Sequence, residues 1–167
     1  MRSTCLIAAL LIGVSSGMAH AQRMASLGGE LGWSRYVEPR LGTTVDMPAG
    51  LFTAPAGTPR RGVGERFATA DRRAQMTVYS MRNEAGDTPA SFVRKNLRQN
   101  RRGLDYDRVT DRFFAISAVA GGRIFYTRCN FDPGRGTIHC VDLAYPQREE
   151  KAWDRIVTRI SLSLRPL

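Results

Sequence analysis

Histidine, lysine and cysteine are all scarce in this chain of 167 residues, and each scarcity closes off some chemistry. There are two histidines, His20 and His139, and His20 falls in an N-terminal leader. His139 is therefore the one ordinary general base for a hydrolase built from a nucleophile, a base and an orienting group. It stands beside Cys140 on a strand pattern, with its side chain on the opposite face, and reads as a structural histidine. A cysteine–histidine enzyme needs a thiolate, which a disulfide removes. Zinc needs three or four ligands, and Cys129, His139 and Cys140 have no second paired motif to join. Asp105, Asp107 and Asp111 lack the glycine and terminal glutamate of a calcium loop, and Arg108 and Arg112 between and beside them read as local salt-bridge partners. Gly62-Val63-Gly64 and Gly134-Arg135-Gly136 lack the remainder of any phosphate-binding fingerprint and read as turns. No catalytic residue, metal or cofactor is expected.

Long apolar runs are also missing. The run Leu6 to Val14 is far short of the about 20 residues that span a bilayer. With Arg2 before it and Ala19-His20-Ala21 after it, it reads as a secretory signal peptide over residues 1–21, leaving Gln22 at the mature N-terminus. Cys5 precedes the apolar core, so no lipid anchor is expected at the cleavage point. The expectation is an exported protein, periplasmic or secreted, without a transmembrane segment. Removing 21 residues from 167 leaves 146, the size of one domain. Residues 22–31 are small, polar and glycine-bearing and read as a flexible leader, which leaves 32–167 as the domain.

What the chain has in abundance is arginine. Lys95 and Lys151 are the only lysines among 25 basic residues, and the formal net charge is +10, of which Arg2 contributes one. A planar guanidinium pairs well with phosphate and carboxylate, so the surface suits anionic partners. On a helix beginning at Pro89, Arg94, Lys95, Arg98, Arg101 and Arg102 occupy the face away from the apolar stripe of Phe92, Val93 and Leu97. Arg60-Arg61 adds to this stripe if its loop folds nearby. Such a face could hold anionic groups of lipid, lipopolysaccharide or an acidic partner. Nucleic acid fits poorly, because the protein is exported and no aromatic residues interleave the arginines.

The export reading gives Cys129 and Cys140 a meaning: in an oxidising compartment an even pair is a disulfide candidate. Both are equidistant from a Pro133-Gly134-Arg135-Gly136 turn between strand-like segments. With those four residues as the loop, the cysteines face each other as a non-hydrogen-bonded pair, whose side chains lie close.

Elsewhere, Trp33 to Val37 and Thr43 to Met47 read as short strands, and Leu51 to Gly64 as a Pro- and Gly-rich loop. Glu65 to Ala70 and Ala74 to Met81 form a hairpin across Asp71-Arg72. Thr88 caps a helix that runs from Pro89 to Gly103. Strands follow at Asp107 to Arg112, Phe113 to Val119, Arg123 to Phe131 and Thr137 to Tyr145. A closing helix carries Ala152, Trp153, Ile156, Val157 and Ile160, with Arg155 and Arg159 towards its C-terminus. The order predicts an α+β fold: a single, mainly antiparallel sheet flanked by two helices. The cysteine hairpin is apolar on both faces (Ile124 and Phe125; Val141 and Ala144), which implies cover on both sides.

The segment Gly42 to Phe52, with its extended strand, Pro48, Gly50 and aromatic, resembles the opening of PsbP-like domains. The single mid-chain helix, the long hairpins and the closing helix ending in Ile160-Ser161-Leu162-Ser163-Leu164 are similar as well. The resemblance spans roughly Trp33 to Leu164 and is one of layout. Arg128 to Phe131 and Asp142 to Pro146 also resemble segments of small uncharacterised secreted proteins of alphaproteobacteria. The PsbP resemblance implies an α/β/α sandwich and a non-enzymatic accessory or binding role, with no functional residue carried over. The expected partner is an envelope protein or an anionic ligand, with peripheral contact to an anionic membrane surface. The other reading from the residues is a small envelope hydrolase.

Overall fold

A computed structural model describes residues 31–96, 103–132, 134 and 136–167. Ten strands and two α-helices occur among them. Strands β1 (Trp33–Glu38) and β2 (Thr43–Pro48) pair antiparallel, and β10 (Arg165–Pro166) joins the free edge of β2. Strands β3 (Ala54–Gly57), β4 (Val63–Ala68), β5 (Gln75–Arg82), β6 (Leu104–Val109), β7 (Phe113–Ala120), β8 (Arg123–Asp132) and β9 (Thr137–Pro146) form a second sheet. It is antiparallel throughout, in the order β3-β4-β5-β9-β8-β7-β6. Helix α1 spans Pro89–Asn96 and α2 spans Glu150–Ser163.

The expectation of one sheet is thus corrected to two. Trp33–Glu38 and Thr43–Pro48 alternate well enough for strands, but alternation does not say which neighbour a strand takes. The Leu51–Gly64 loop also holds a strand, Ala54–Gly57, which the proline and glycine content concealed; it is an edge strand, where proline is tolerated. Gly64 lies in β4 and not in a turn. With φ at +152°, a Cβ there would meet the carbonyl oxygen of Val78 at 2.0 Å, so glycine lets β4 approach β5.

Thr88 caps α1 as expected. Its Oγ1 accepts the Ser91 N–H at 3.2 Å, and Ser91 Oγ accepts the Thr88 N–H at 3.0 Å, a reciprocal capping box. The expected continuation of this helix to Gly103 falls on 97–102, outside the described residues. At the closing helix, Arg159 does not serve the C-terminal end, because the helix runs on to Ser163. Its guanidinium instead lies 4.1 Å from the centre of the Trp33 ring and pairs with Asp46 at 3.6 Å.

Cover on both faces of the central hairpin is seen. On one face Val141, Leu143, Tyr145 and Ile124 pack with α2 (Trp153, Ile156, Ile160) and with Val45 of β2. On the other, Cys129, Cys140, Phe131 and Ile138 pack with Val93 of α1. Leu31, at the end of the expected leader, is buried in the first cluster and its carbonyl accepts the Gly50 N–H at 2.9 Å. Cys129 and Cys140 are joined directly across β8 and β9, with Cα atoms 4.2 Å apart, the spacing of a close non-hydrogen-bonded pair. No helix of the described residues is long and apolar enough to cross a membrane.

Candidate functional site

The α1 face of the large sheet is half covered. Register places Gly64, Tyr79, Cys140, Cys129 and Phe114 in one row across β4, β5, β9, β8 and β7. Phe92 of α1 packs beside this row, with its ring centre 5.8 Å from that of Phe114. Two residues along each strand, the next row reads Arg66, Thr77, Asp142, Thr127 and Ile116, and α1 leaves it open. The result is a cavity of about 450 Å³ with a polar floor, walled by Phe92 and Phe125 and rimmed by Pro59, Arg60, Arg61 and Asn96.

The rim answers the question left by Arg60-Arg61. Arg61 donates to Asn96 Oδ1 at 3.3 Å, which fastens this loop to the end of α1. Among the described residues, none of Arg60, Arg61 and Arg66 takes part in an ion pair, so three guanidinium groups line the cavity without a carboxylate in direct contact. Arg94 and Lys95 of the expected basic stripe are exposed on α1, and Lys95 is spoken for: it pairs with Asp87 at 2.5 Å. That ammonium and the Ser91 hydroxyl hold the Asp87 carboxyl below its usual pKa. Arg98, Arg101 and Arg102 lie outside the described residues.

Asp142 is the one carboxylate on the cavity floor. Thr127 Oγ1 donates to its Oδ1 at 2.8 Å, and the Tyr79 hydroxyl donates to the same oxygen at 3.4 Å. Its Oδ2 takes no hydrogen bond from any described residue. Burial raises the pKa of Asp142; the Thr127 and Tyr79 hydrogen bonds, then Arg61 and Arg66, work against that rise. The Tyr79 hydroxyl is likewise pushed up, mainly by burial and then by the neighbouring Asp142.

The sign of the Asp142 effect gives a first expected result. A carboxyl whose folded pKa lies above its unfolded value adds stability below the unfolded pKa, and that stability is lost as pH rises through the folded value. An asparagine amide at this position keeps an oxygen for the Thr127 hydroxyl and carries no charge. Asp142→Asn should therefore match the wild type near pH 3.5 and become the more stable protein from about pH 4 upwards. Urea midpoints measured across that range decide it; identical curves would contradict an unfavourable buried charge.

His139 belongs to a different cluster, between the two sheets. Thr43 Oγ1 shares hydrogen bonds with Ser80 Oγ and, at 2.6 Å, with His139 Nδ1. Ser80 Oγ donates to Glu38 Oε2 at 3.3 Å, and Glu38 also accepts the N–H groups of Arg40 and Leu41 at 3.0 Å each. The run is satisfied when His139 carries its proton on Nδ1, donating to Thr43, which donates to Ser80. Thr43 and Ser80 are 0% exposed, His139 1% and Glu38 2%. A hydroxyl, an imidazole and a carboxylate do come together here, which the sequence did not reveal, but no substrate reaches them. The cluster ties the small sheet to the large one.

A second groove, of about 490 Å³, runs between α2 and the outer strands of the opposite face. Arg128 crosses it, 4.1 Å above the Phe113 ring and bonded to Asn130 Oδ1 and Ser161 Oγ, so its cation is already engaged. No group of three or more histidine, cysteine, aspartate or glutamate side chains among the described residues could hold a metal ion.

The fold has a solved counterpart. The solution structure of cyanobacterial PsbP (CyanoP) from Synechocystis sp. PCC 6803 aligns with a TM-score of 0.60 over 81% of this chain and 92% of that one, at 12% identity. The fold is PsbP-like. The Saccharomyces cerevisiae Ran-binding protein Mog1p aligns with a TM-score of 0.45, at 10% identity, over 80% of this chain and 96% of its own. No family model and no curated protein matches the sequence. The PsbP-like layout read from Gly42 to Phe52 and from the element order is thus found in the structure, with the sheet divided in two.

Proposed function

We propose that this is an exported, non-enzymatic accessory or binding protein that associates with anionic envelope surfaces or partners through the arginine-bearing face around α1. The observation that carries this reading is the Arg61–Asn96 bond, which brings Arg60 and Arg61 to the helix bearing Arg94 and beside Arg66. Guanidinium groups without carboxylate partners favour phosphate and carboxylate, with forked hydrogen bonds adding to charge. The non-enzymatic part rests on His139, whose imidazole is enclosed together with the Thr43 hydroxyl it bonds. The exported part rests on the residue 1–21 pattern and on a disulfide suited to an oxidising compartment.

Association with phosphatidylglycerol vesicles should fall steeply with salt, since exposed charges are screened beyond about 8 Å at physiological ionic strength. Reversing Arg60, Arg61 and Arg94 to Glu should weaken it at least tenfold more than reversing Arg112, Arg148 and Arg155, which changes net charge equally. Equal losses would show that net charge, and no particular face, draws the protein to the surface.

A further inference from the structure

The uncovered polar row does more than complete a basic face. Sheet floors under a helix layer are ordinarily apolar, and the neighbouring row of this one is: Tyr79, the Cys129–Cys140 disulfide and Phe114. One row away, an aspartate sits mid-sheet, flanked by Thr77 and Thr127 on the adjacent strands. A carboxylate drawn part-way out of water, as Asp142 is, carries a desolvation cost unless it is paired and fully hydrogen-bonded. Asp142 has neither condition met: both of its bonds go to Oδ1, and none of the arginines around the opening reaches it as an ion pair. The cavity therefore presents two complementary functions, an acceptor oxygen on the floor and three guanidinium groups outside any ion pair, Arg60 and Arg61 at the rim and Arg66 at the end of the floor row. Phe92 and Phe125 supply apolar walls between them.

Resting on the binding reading above, we propose that this cavity takes a small organic molecule carrying an anionic phosphate or carboxylate and, a few bonds away, an N–H or O–H donor. The anion lies among Arg60, Arg61 and Arg66, and the donor meets Asp142 Oδ2. About 450 Å³ is within the range of small-molecule sites and holds a molecule of modest size with some water. A bare anion fills only half of the arrangement, because it leaves Oδ2 unanswered and brings a second negative charge towards Asp142. Selection thus comes from the floor, while attraction comes from the rim. The same chemistry is carried by a free amino phosphate and by a lipid headgroup of the ethanolamine type.

The test uses the mature protein and three matched probes: O-phosphorylethanolamine, phosphorylcholine and ethyl phosphate. All share the phosphate ester; the first has N–H donors, the second a cation without N–H, the third neither. Calorimetric titration should show phosphorylethanolamine binding at least tenfold tighter than the other two. Asp142→Asn should bring the three within twofold of one another. Arg61→Ala with Arg66→Ala should weaken all three by tenfold or more. Melting curves verify that each variant is folded. Vesicles of phosphatidylethanolamine and phosphatidylcholine, each with the same phosphatidylglycerol content, separate the two sources. A preference for the former that Asp142→Asn removes assigns the chemistry to a headgroup, and a preference among free probes alone assigns it to a soluble ligand. No preference in either arm overturns the proposal. Salt-dependent binding to phosphatidylglycerol vesicles would survive that outcome if only the surface reading holds, and Asp142→Asn should leave it unchanged.

Discussion

Cys129→Ser should destabilise the oxidised protein by about 3 kcal/mol, because it reopens a short loop in the unfolded chain. The cysteines are separated by 11 positions, and each sulfur is buried, with Cys129 1% and Cys140 0% exposed. For a domain of this size, a loss of that order lowers the melting midpoint by roughly 10 °C. The buried setting makes serine a poor replacement, since its hydroxyl enters the apolar cluster of Phe114, Phe131 and Ile138. Cys129→Ala with Cys140→Ala separates the two contributions: it removes the cross-link without adding a polar group. Differential scanning calorimetry with and without reductant measures both. A midpoint that neither variant nor reductant moves would mean that the bond contributes nothing to the stability of the hairpin.

Trp153→Ala should cost still more, about 4 kcal/mol, by opening a cavity where α2 meets the sheet. Trp153 is 2% exposed and stacks on Tyr145, with ring centres 5.0 Å apart, while Phe52 closes its other side at 6.0 Å. This one indole joins the helix, the large sheet through β9, and the segment that follows β2. Leu162, 72% exposed on the same helix, is the control: Leu162→Ser should change stability by no more than about 0.5 kcal/mol. Urea unfolding monitored by circular dichroism distinguishes them. Similar midpoints for the two variants would show that α2 is not held by this cluster.

The hairpin shows why some of this architecture could be read from residues alone. Symmetry about a four-residue turn fixes one pair, Cys129 and Cys140, and one pair fixes the whole antiparallel register. That register also contained the polar floor: stepping two residues from each cysteine, away from the turn, sets Thr127 opposite Asp142. A charged residue paired with a threonine, on a face whose neighbouring pairs are Phe125–Ala144, Cys129–Cys140 and Phe131–Ile138, was the available signal. What concealed its meaning was the helix, because no pattern says how much of a sheet a short helix will cover. Arg61 was visible as a candidate and conditional on a loop whose path depends on one bond, to Asn96. Thr43 and Glu38 gave no signal near His139, since they come from strands of the small sheet that meet it only when the two sheets stack; Ser80 lies directly across from it, on β5. The two-residue strand Arg165–Pro166 is too short for any periodicity.

That last short strand bears on how the chain reaches its fold. The small sheet begins with β1 and β2 near the N-terminal end of the domain, and Arg165 and Pro166 complete it against Thr44 and Thr43. The Leu167 N–H then closes on the Gly42 carbonyl at 2.7 Å. Strand β2 thus waits for its second neighbour until a segment 121 positions further along the chain docks on it. Contacts of such wide sequence separation slow folding, since loop-closure entropy is lost before they form. Until then β2 keeps a bare edge able to pair with other chains. Completion of the small sheet is therefore a late, long-range step of folding, set by the docking of Arg165 and Pro166 on β2.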